Sequence, residues 1–219
     1  MSESILSASE PNVKGGIRLA GWKFEQGEIT PSELLVLTAI GAFANGKGEC
    51  WPSLATISRM TRIKERSVLQ NIKNLEEKKI LKSAVRNAKS GAKISRQYKI
   101  LVARHASAMR LKAIKKLLQI DNDGIKKSDM LVLLFFLDIF LSTGNRSLRV
   151  RQQKISDATG LSLKSVNQSI QDLIHRFKLI WHKVPPEDCP LQPGVAIVYF
   201  SRDKFCEIIE NSFVYKGRE

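Results

Sequence analysis

Apolar residues recur at helical spacing in two stretches of the chain that lie 98 positions apart. In residues 57–75 and again in residues 155–173, isoleucine, valine and leucine stand three or four positions apart with polar residues between them. Such spacing places the apolar side chains on one face of a helix and leaves the opposite face polar. Eight of the nineteen aligned residues are identical, including Gln70 and Gln168 on the polar face. We call each stretch a turn motif, and the repeat predicts two related modules in one chain.

Each turn motif lies in the same predicted order of elements. In the first module, Thr30-Pro31 predicts the start of a helix that continues to Phe43, because threonine caps a helix and proline fits its first turn. The pattern then predicts two further helices and two strands around a basic loop, with helices over 54–60 and from residue 64, and strands over 81–85 and 97–102. In the second module it predicts helices over 128–142, 151–159 and 162–177, with strands near 179–184 and 195–201. Three helices followed by a hairpin indicate a winged helix.

The predicted fold class is mostly α with small β-hairpin wings (α+β), in the form of two winged-helix domains in tandem joined by a basic helix. The repeat predicts a flexible N-terminal arm over 1–20, a first winged helix over 21–103, a linker helix over 104–124 and a second winged helix over 125–219. The basic, amphipathic linker would also suit an anionic membrane surface, but a helix that joins two packed domains needs the same pattern. The apolar run 130–141 is shorter than the roughly 20 residues of a membrane span and predicts a buried helix.

The charge of the chain is strongly positive and unevenly distributed. The net charge is +15 and the isoelectric point is about 9.9, which favours a polyanionic partner. Residues 59–104 carry fourteen Lys and Arg against three Asp and Glu, whereas residues 1–58 carry four against six. The positive charge therefore peaks on the first turn motif and the hairpin that follows it, which favours double-stranded DNA as the partner.

The third helix of each module is the predicted DNA-reading element. A helix fits the major groove, where Arg can pair with guanine and Asn or Gln with adenine. The predicted base-reading residues are polar or cationic positions of these two helices: Lys64, Arg66, Ser67, Gln70, Asn71, Lys73 and Asn74, and then Lys164, Ser165, Asn167, Gln168 and Gln171. The predicted phosphate-binding residues are cations of the neighbouring helices and strands: Arg59, Arg62, Arg86, Lys89, Lys93 and Arg96, and then Arg149, Arg151 and Lys154.

The second module differs from the first in ways that bear on DNA reading. Its third helix carries Leu163 at an outward position, and its hairpin tip, residues 185–194, is proline-rich and slightly acidic. If both modules read DNA, their half-sites should differ and one monomer should cover about two turns of a duplex. Alternatively, one module reads DNA and the other mediates pairing between chains. The charge distribution makes the first module the stronger DNA candidate.

Three short segments carry a resemblance to a known family. The stretch 45–53, the first turn motif and the stretch 75–80 together resemble the winged-helix domain near the N-terminus of many plasmid and phage replication proteins. The resemblance covers about residues 30–101. It implies binding to repeated origin sequences, with self-association or a replication-machinery partner; a transcription regulator of a mobile element is the alternative. Lys79 stands where the family pattern has glycine, which predicts a less sharply turned exit from the third helix.

Catalytic, metal and cofactor sites are not predicted. Ser90-Gly91-Ala92-Lys93 matches a Ser-x-x-Lys pattern, but it lies in a basic loop rather than at the start of a helix over a pocket. His105, His175 and His182 have no partners at metal-ligand spacing, and three scattered cysteines suit a reducing compartment. We therefore expect a non-enzymatic bacterial cytoplasmic protein with no cofactor, no small-molecule substrate, no membrane association and no secretory leader.

Overall fold

The computed structural model describes residues 29–87, 93–101, 108–120, 124–143, 147–177, 180–184 and 197–201. Its helices are α1 (Pro31–Gly41), α2 (Leu54–Thr61), α3 (Glu65–Glu77), α4 (Ala108–Leu118), α5 (Lys127–Thr143), α6 (Gln152–Thr159) and α7 (Leu163–Phe177). Its strands are β1 (Glu49–Cys50), β2 (Leu81–Asn87), β3 (Lys93–Ile100), β4 (Ser147–Arg151), β5 (Ile180–Val184) and β6 (Ile197–Ser201). The predicted N-terminal arm and the second hairpin tip lie outside the described residues.

Helix α1 begins at a capping box. The Thr30 hydroxyl accepts a hydrogen bond from the Glu33 N–H at 3.2 Å, and Glu33 Oε2 accepts one from the Thr30 N–H at 2.7 Å. Both bonds satisfy amide groups that a helix start would otherwise leave without partners, and Pro31 occupies the first turn as predicted.

Two helices form the centre of the molecule, because each is apolar on all sides. Residues 33–41 of α1 and residues 129–140 of α5 are buried, and α1 packs against α5. The predicted buried helix over 130–141 is thus confirmed as part of α5. One continuous hydrophobic core includes both helices and extends into both modules.

The linker helix contributes its apolar side to this core. Helix α4 packs against both α1 and α5, with Ile114, Leu117 and Leu118 buried and Lys112 exposed. Lys115 Nζ lies 4.4 Å from the centre of the Phe43 ring, which adds a cation–π contact to the turn after α1. The described part of this helix begins at Ala108, whereas residues 102–107 lie outside the described residues. Along the described parts of the chain, no helix combines the length and the apolar character that a membrane span requires.

A three-stranded antiparallel sheet closes each module. The strand orders are β1-β3-β2 in the first sheet and β4-β6-β5 in the second. Cys50 pairs with Tyr98, and Val150 pairs with Val198. The sequence pattern missed β1, which has only two residues, and β4, whose last residue Arg151 it assigned to the helix that follows. The predicted helix over 151–159 begins one residue later, since Arg151 closes β4.

Candidate nucleic-acid interface

The first turn motif consists of α2, a tight turn and α3. Arg62 adopts the left-handed conformation with φ of 57° between the two helices. The Thr61 hydroxyl donates to the Ile57 carbonyl at 2.8 Å, which satisfies this polar group inside the core. The buried face of α3 carries Val68, Ile72 and Leu75, at the spacing that the sequence predicted.

Five of the predicted base-reading residues are exposed at the start of α3 and along its outer face. They are Lys64, Arg66, Ser67, Gln70 and Lys73. Asn71 and Asn74 are half-buried, and each amide already has a protein partner. Asn71 Nδ2 donates to the Ser67 carbonyl at 2.7 Å, and Asn74 Nδ2 donates to Glu33 Oε1 at 2.9 Å. Five of the seven predicted readers on α3 therefore share one exposed surface, which we call the α3 face.

A buried acid connects the α3 face to the core. Glu33 is 1% exposed and accepts hydrogen bonds from Asn74 Nδ2 and, at 2.7 Å, from Lys78 Nζ. Gln70 Nε2 donates to Asn74 Oδ1 at 2.9 Å, which extends this chain of hydrogen bonds to the surface. Burial alone would raise the pKa of Glu33, but the bonds from Lys78, the Thr30 amide and Asn74 outweigh it and hold the pKa below 4.5. Glu33 therefore fixes the end of α3 against α1.

The predicted phosphate-binding residues of the first module have different surroundings. Arg59 is exposed in the last turn of α2. Arg62 instead donates from Nη2 to the Ile120 carbonyl at 2.6 Å and from Nη1 to the Met60 carbonyl at 3.3 Å. Arg96 is half-buried and donates to Ser83 Oγ at 3.0 Å. The backbones of Arg86 and Lys93 lie in β2 and β3, and Lys89 lies outside the described residues.

Two lysines that the sequence analysis did not select stand on the first sheet. Lys82 of β2 and Lys99 of β3 are directly opposite each other, and both side chains are exposed. Lys99 Nζ also lies 3.7 Å from Glu49 Oε1. The alternation of buried Leu81 and Tyr98 with exposed lysines is the signal that could have identified them. They add positive charge to the side of the sheet that faces solvent.

The outer face of α7 is less charged than the α3 face. Lys164, Asn167 and Gln168 are exposed, and Ser165 and Gln171 are half-buried. We call the surface of these five residues the α7 face. Gln168 Nε2 donates to Asp172 Oδ1 at 2.9 Å, at positions that match Gln70 and Asn74 in the repeat. Leu163, which precedes these residues, is 47% exposed.

The remaining predicted phosphate-binding residues surround the start of α6. Arg151 and Lys154 are half-buried, and the backbone of Arg149 lies in β4, where it pairs with Tyr199. The structure thus places all three in or next to β4 and α6.

Nothing in the described residues indicates a metal site. Within those residues, no group of three or more His, Cys, Asp or Glu side chains could hold a metal ion. Cys50 is fully buried, and this burial raises the pKa of its thiol to about 12. A thiol in that state is neither nucleophilic nor a ready metal ligand.

The order of helices, the left-handed turn and the exposed α3 face are the features of a helix-turn-helix motif followed by a wing. Residues 27–81 match the family of helix-turn-helix domains. The match covers α1, β1, α2, α3 and the first residue of β2. Comparison of the chain with curated proteins gave no match. Comparison with solved structures gave none either. The first module therefore contains a helix-turn-helix domain, and helices of this kind enter the major groove of double-stranded DNA.

Proposed function

We propose that the chain is a sequence-specific double-stranded DNA-binding protein without catalytic activity, and that α3 reads the bases. One observation carries this proposal. Helix α3, the third helix of the matched helix-turn-helix domain, presents Arg66, Gln70 and Lys73 to solvent, while its other face forms part of the core. A side chain that is already fixed in the protein interior cannot read bases, whereas these three stand on the open face. The surrounding excess of positive charge supplies the attraction to phosphates.

The second module is proposed to be a second winged-helix reader in tandem with the first. It has the same order of elements and the same strand order, and its third helix has the same amphipathic pattern. Lys164, Asn167 and Gln168 would contact bases from α7. Because the α7 face carries a single lysine, its contribution to affinity should be smaller than that of α3.

The biological role that we propose is initiation of replication on a mobile element through repeated origin sites. The resemblance of stretches 45–53 and 75–80 to plasmid and phage replication proteins supports this role. Deleting the gene should abolish replication of an origin fragment while transcription elsewhere is unchanged. Occupancy at promoters without any effect on copy number would instead identify a transcription regulator.

The DNA-binding proposal is tested by titration against duplexes selected from a random pool. A DNA reader should retain its sequence preference while its affinity falls steeply with increasing salt. Lys89→Ala with Lys93→Ala should weaken binding to all sequences alike and reduce the salt slope by about 1 for each phosphate that the variant no longer neutralises. Lys112→Ala, an exposed change on α4, is the control for loss of one lysine charge and should have less effect than Lys93→Ala alone. Absence of any preference among duplexes at near-physiological salt would refute the proposal.

A further inference from the structure

A series of hydrogen bonds leads from the buried Glu33 to the surface of α3. Glu33 Oε2 accepts from the Thr30 N–H and from Lys78 Nζ, both at 2.7 Å. Glu33 Oε1 accepts from Asn74 Nδ2 at 2.9 Å, and Asn74 Oδ1 accepts from Gln70 Nε2 at 2.9 Å. Gln70 is exposed on the α3 face, whereas Glu33 is 1% exposed. An acid of the core is therefore connected to a predicted reader of bases through one asparagine.

The acid fixes the direction of the bonds in this series. An ionised carboxylate can only accept hydrogen bonds, whereas the amide of asparagine or glutamine has one accepting and one donating group. Burial alone would raise the pKa of Glu33, but its donors hold the pKa below 4.5, so Glu33 is ionised at neutral pH. Asn74 must therefore turn its NH2 group inward and its carbonyl oxygen outward. Gln70 has to donate to that oxygen, which leaves Gln70 Oε1 and one Nε2 hydrogen for other partners.

The second module gives its glutamine the same orientation with different residues. Gln168 matches Gln70 in the repeat, and Asp172 matches Asn74. Gln168 Nε2 donates to Asp172 Oδ1 at 2.9 Å, and Asp172 Oδ2 accepts from Lys126 Nζ at 2.6 Å. Here the carboxylate lies at the matching position itself. A helix would gain stability from a Gln–Asn bond in either direction, so helix stability does not explain why the direction is the same in both modules.

From this we infer that Glu33 is a positioning residue for base recognition, and that it acts through Asn74 to orient the amide of Gln70 for adenine. The inference rests on the proposed function. In the major groove, adenine presents a donor at N6 and an acceptor at N7, and a glutamine amide can pair with both. The oxygen and the N–H that Gln70 has left match these two groups. Guanine presents acceptors at both places, so it should be disfavoured while the amide is held in this orientation.

Glu33→Gln should reverse the orientation by the exchange of one side-chain oxygen for an NH2 group. Two donors meet at the Oε2 position, so the amide oxygen of the substituted side chain should occupy it and its NH2 group should face Asn74. Asn74 would then accept from that group and donate to Gln70, whose amide would turn over in response. The preference for adenine at one base pair should fall by roughly 5- to 150-fold, the full contribution of a bidentate contact.

A second substitution separates the orientation of Gln70 from the stability of the fold. In Glu33→Gln with Asn74→Asp, the carboxylate at position 74 can accept from the amide at position 33 and from Gln70 together. This double variant keeps the net charge of the chain and should regain the preference for adenine. Lys78→Ala is the control, because it removes a partner of Glu33 without changing the direction of the bond from Asn74. It should lower stability and leave the base preference unchanged.

Competition binding of the full chain with single-base variants of a selected duplex measures these preferences. Gln70→Ala first identifies the base pair that Gln70 contacts. If Glu33→Gln weakened binding to all sequences alike and kept the preference for adenine, the inference would be overturned. The same holds if the double variant showed the same loss as the single one, or if Gln70→Ala changed preference at no base pair.

Asn74→Ala tests the orientation without any change to the buried acid, and so it decides the question even if the Glu33 variant does not fold. Because the amide of Gln70 could then take either of two orientations, the preference for adenine should fall about twofold or more. An unchanged preference would contradict the inference. In each of these failures, base reading by Arg66 would stand. Loss of all sequence preference in the unmodified chain would instead refute the proposed function.

Discussion

At the left-handed position between the two helices of its turn motif, the first module has Arg62 and the second has Gly160. Glycine adopts this conformation at little cost, whereas arginine is strained there. The first module offsets the strain with the hydrogen bond from Arg62 to the Ile120 carbonyl. The same backbone turn is therefore reached by conformational freedom in one module and by a side-chain contact in the other.

The eight identities between the turn motifs lie mainly in the core. Five of the eight pairs are buried in both modules: Ile57/Ile155, Thr61/Thr159, Val68/Val166, Ile72/Ile170 and Leu75/Leu173. Gln70 and Gln168 are exposed, but each donates to the residue four positions ahead. The repeat thus retains packing and helix-surface contacts, which explains the shared fold. The outward residues have diverged, so the two faces are expected to recognise different bases.

The link between the first and third helices has also changed chemistry. In the first module the buried Glu33 accepts from Asn74 and Lys78. In the second module the exposed Lys126 donates to Asp172 at 2.6 Å. Removing a buried acid leaves several donors without their acceptor, whereas an ion pair with an exposed lysine contributes less to stability.

The largest effect is therefore expected at the buried link. Glu33→Ala removes the partner of Lys78 and Asn74 and one half of the capping box, which should lower the free energy of unfolding by about 2–4 kcal/mol. Lys126→Ala removes the ion pair of the second module, whose lysine is exposed, and it should cost less than about 1 kcal/mol. Urea denaturation of both variants measures the difference. Equal decreases would show that burial does not distinguish the two links.

The charge of Glu33 accounts for part of this effect and can be removed by acid. Its pKa in the folded protein lies below 4.5, so its contribution to stability is complete above pH 4.5 and is lost as the pH falls through the lowered pKa. The difference in stability between the unmodified chain and Glu33→Gln should narrow as the pH falls below 4.5. Thermal unfolding across this range checks it. If the difference in stability between the two proteins stayed constant across this pH range, the carboxylate charge of Glu33 would not contribute to stability.

The next largest difference between the two modules is expected in the bases that they recognise. Arg66→Ala should cost about 1–3 kcal/mol of discrimination, roughly 5- to 150-fold in relative affinity, at one base pair of the selected site. Lys164→Ala, the matching change on α7, should relax preference at a different base pair. Competition binding with single-base variants of the site gives both values. If both changes weakened all sequences equally, neither residue would be a reader.

The first module was largely predictable because its signals are local. The cap at Thr30, the apolar spacing of α3 and the outward Arg66 can all be recognised from a few adjacent residues, and all three are as predicted. The buried helix that was predicted over 128–142 is observed as Lys127–Thr143, one residue longer at each end. Local patterns therefore predicted most of the helices.

Contacts between distant segments could not be predicted in the same way. Arg62 was selected for phosphate binding because of its charge, yet its guanidinium holds the turn against Ile120, 58 positions away. Asn74 was selected as a reader, yet its amide donates to Glu33, 41 positions away. In both cases the sequence shows a polar side chain near the expected interface, but only the packing of α1 and α4 decides what it contacts.

A side chain at the glycine of the second turn should destabilise the chain. Gly160→Ala places a Cβ in a left-handed backbone and 3.4 Å from Pro31 Cγ, and it should destabilise the chain by about 1–2 kcal/mol. Gly46→Ala is the control, because a Cβ there meets nothing within 4 Å and the backbone φ is not in the left-handed range. It should be neutral or slightly stabilising. Denaturant midpoints compare the two, and similar decreases would contradict the strain argument.

The exit from α3 provides the smallest and most selective comparison. Lys79 was expected to give a less sharp exit than glycine, and this expectation is wrong. Its φ is 57°, its N–H donates to the Glu76 carbonyl, and the Ile80 N–H donates to the Leu75 carbonyl at 3.0 Å. These are the two bonds of a Schellman motif, in which this position normally belongs to glycine.

A lysine held in this position should be strained. Lys79→Gly should raise the free energy of unfolding by up to about 1 kcal/mol, because the release of strain exceeds the added freedom of the unfolded chain. Lys79→Ala removes the same charge but keeps the left-handed strain, so it should give no comparable gain. Urea denaturation measures both variants. Equal stabilisation by glycine and alanine would mean that loss of the lysine charge, and not release of backbone strain, stabilises the chain. A gain with glycine alone would show that Lys79 is strained. The first module would then have a strained left-handed residue at each end of α3, Arg62 before it and Lys79 after it, whereas the second module has glycine at the position that matches Arg62.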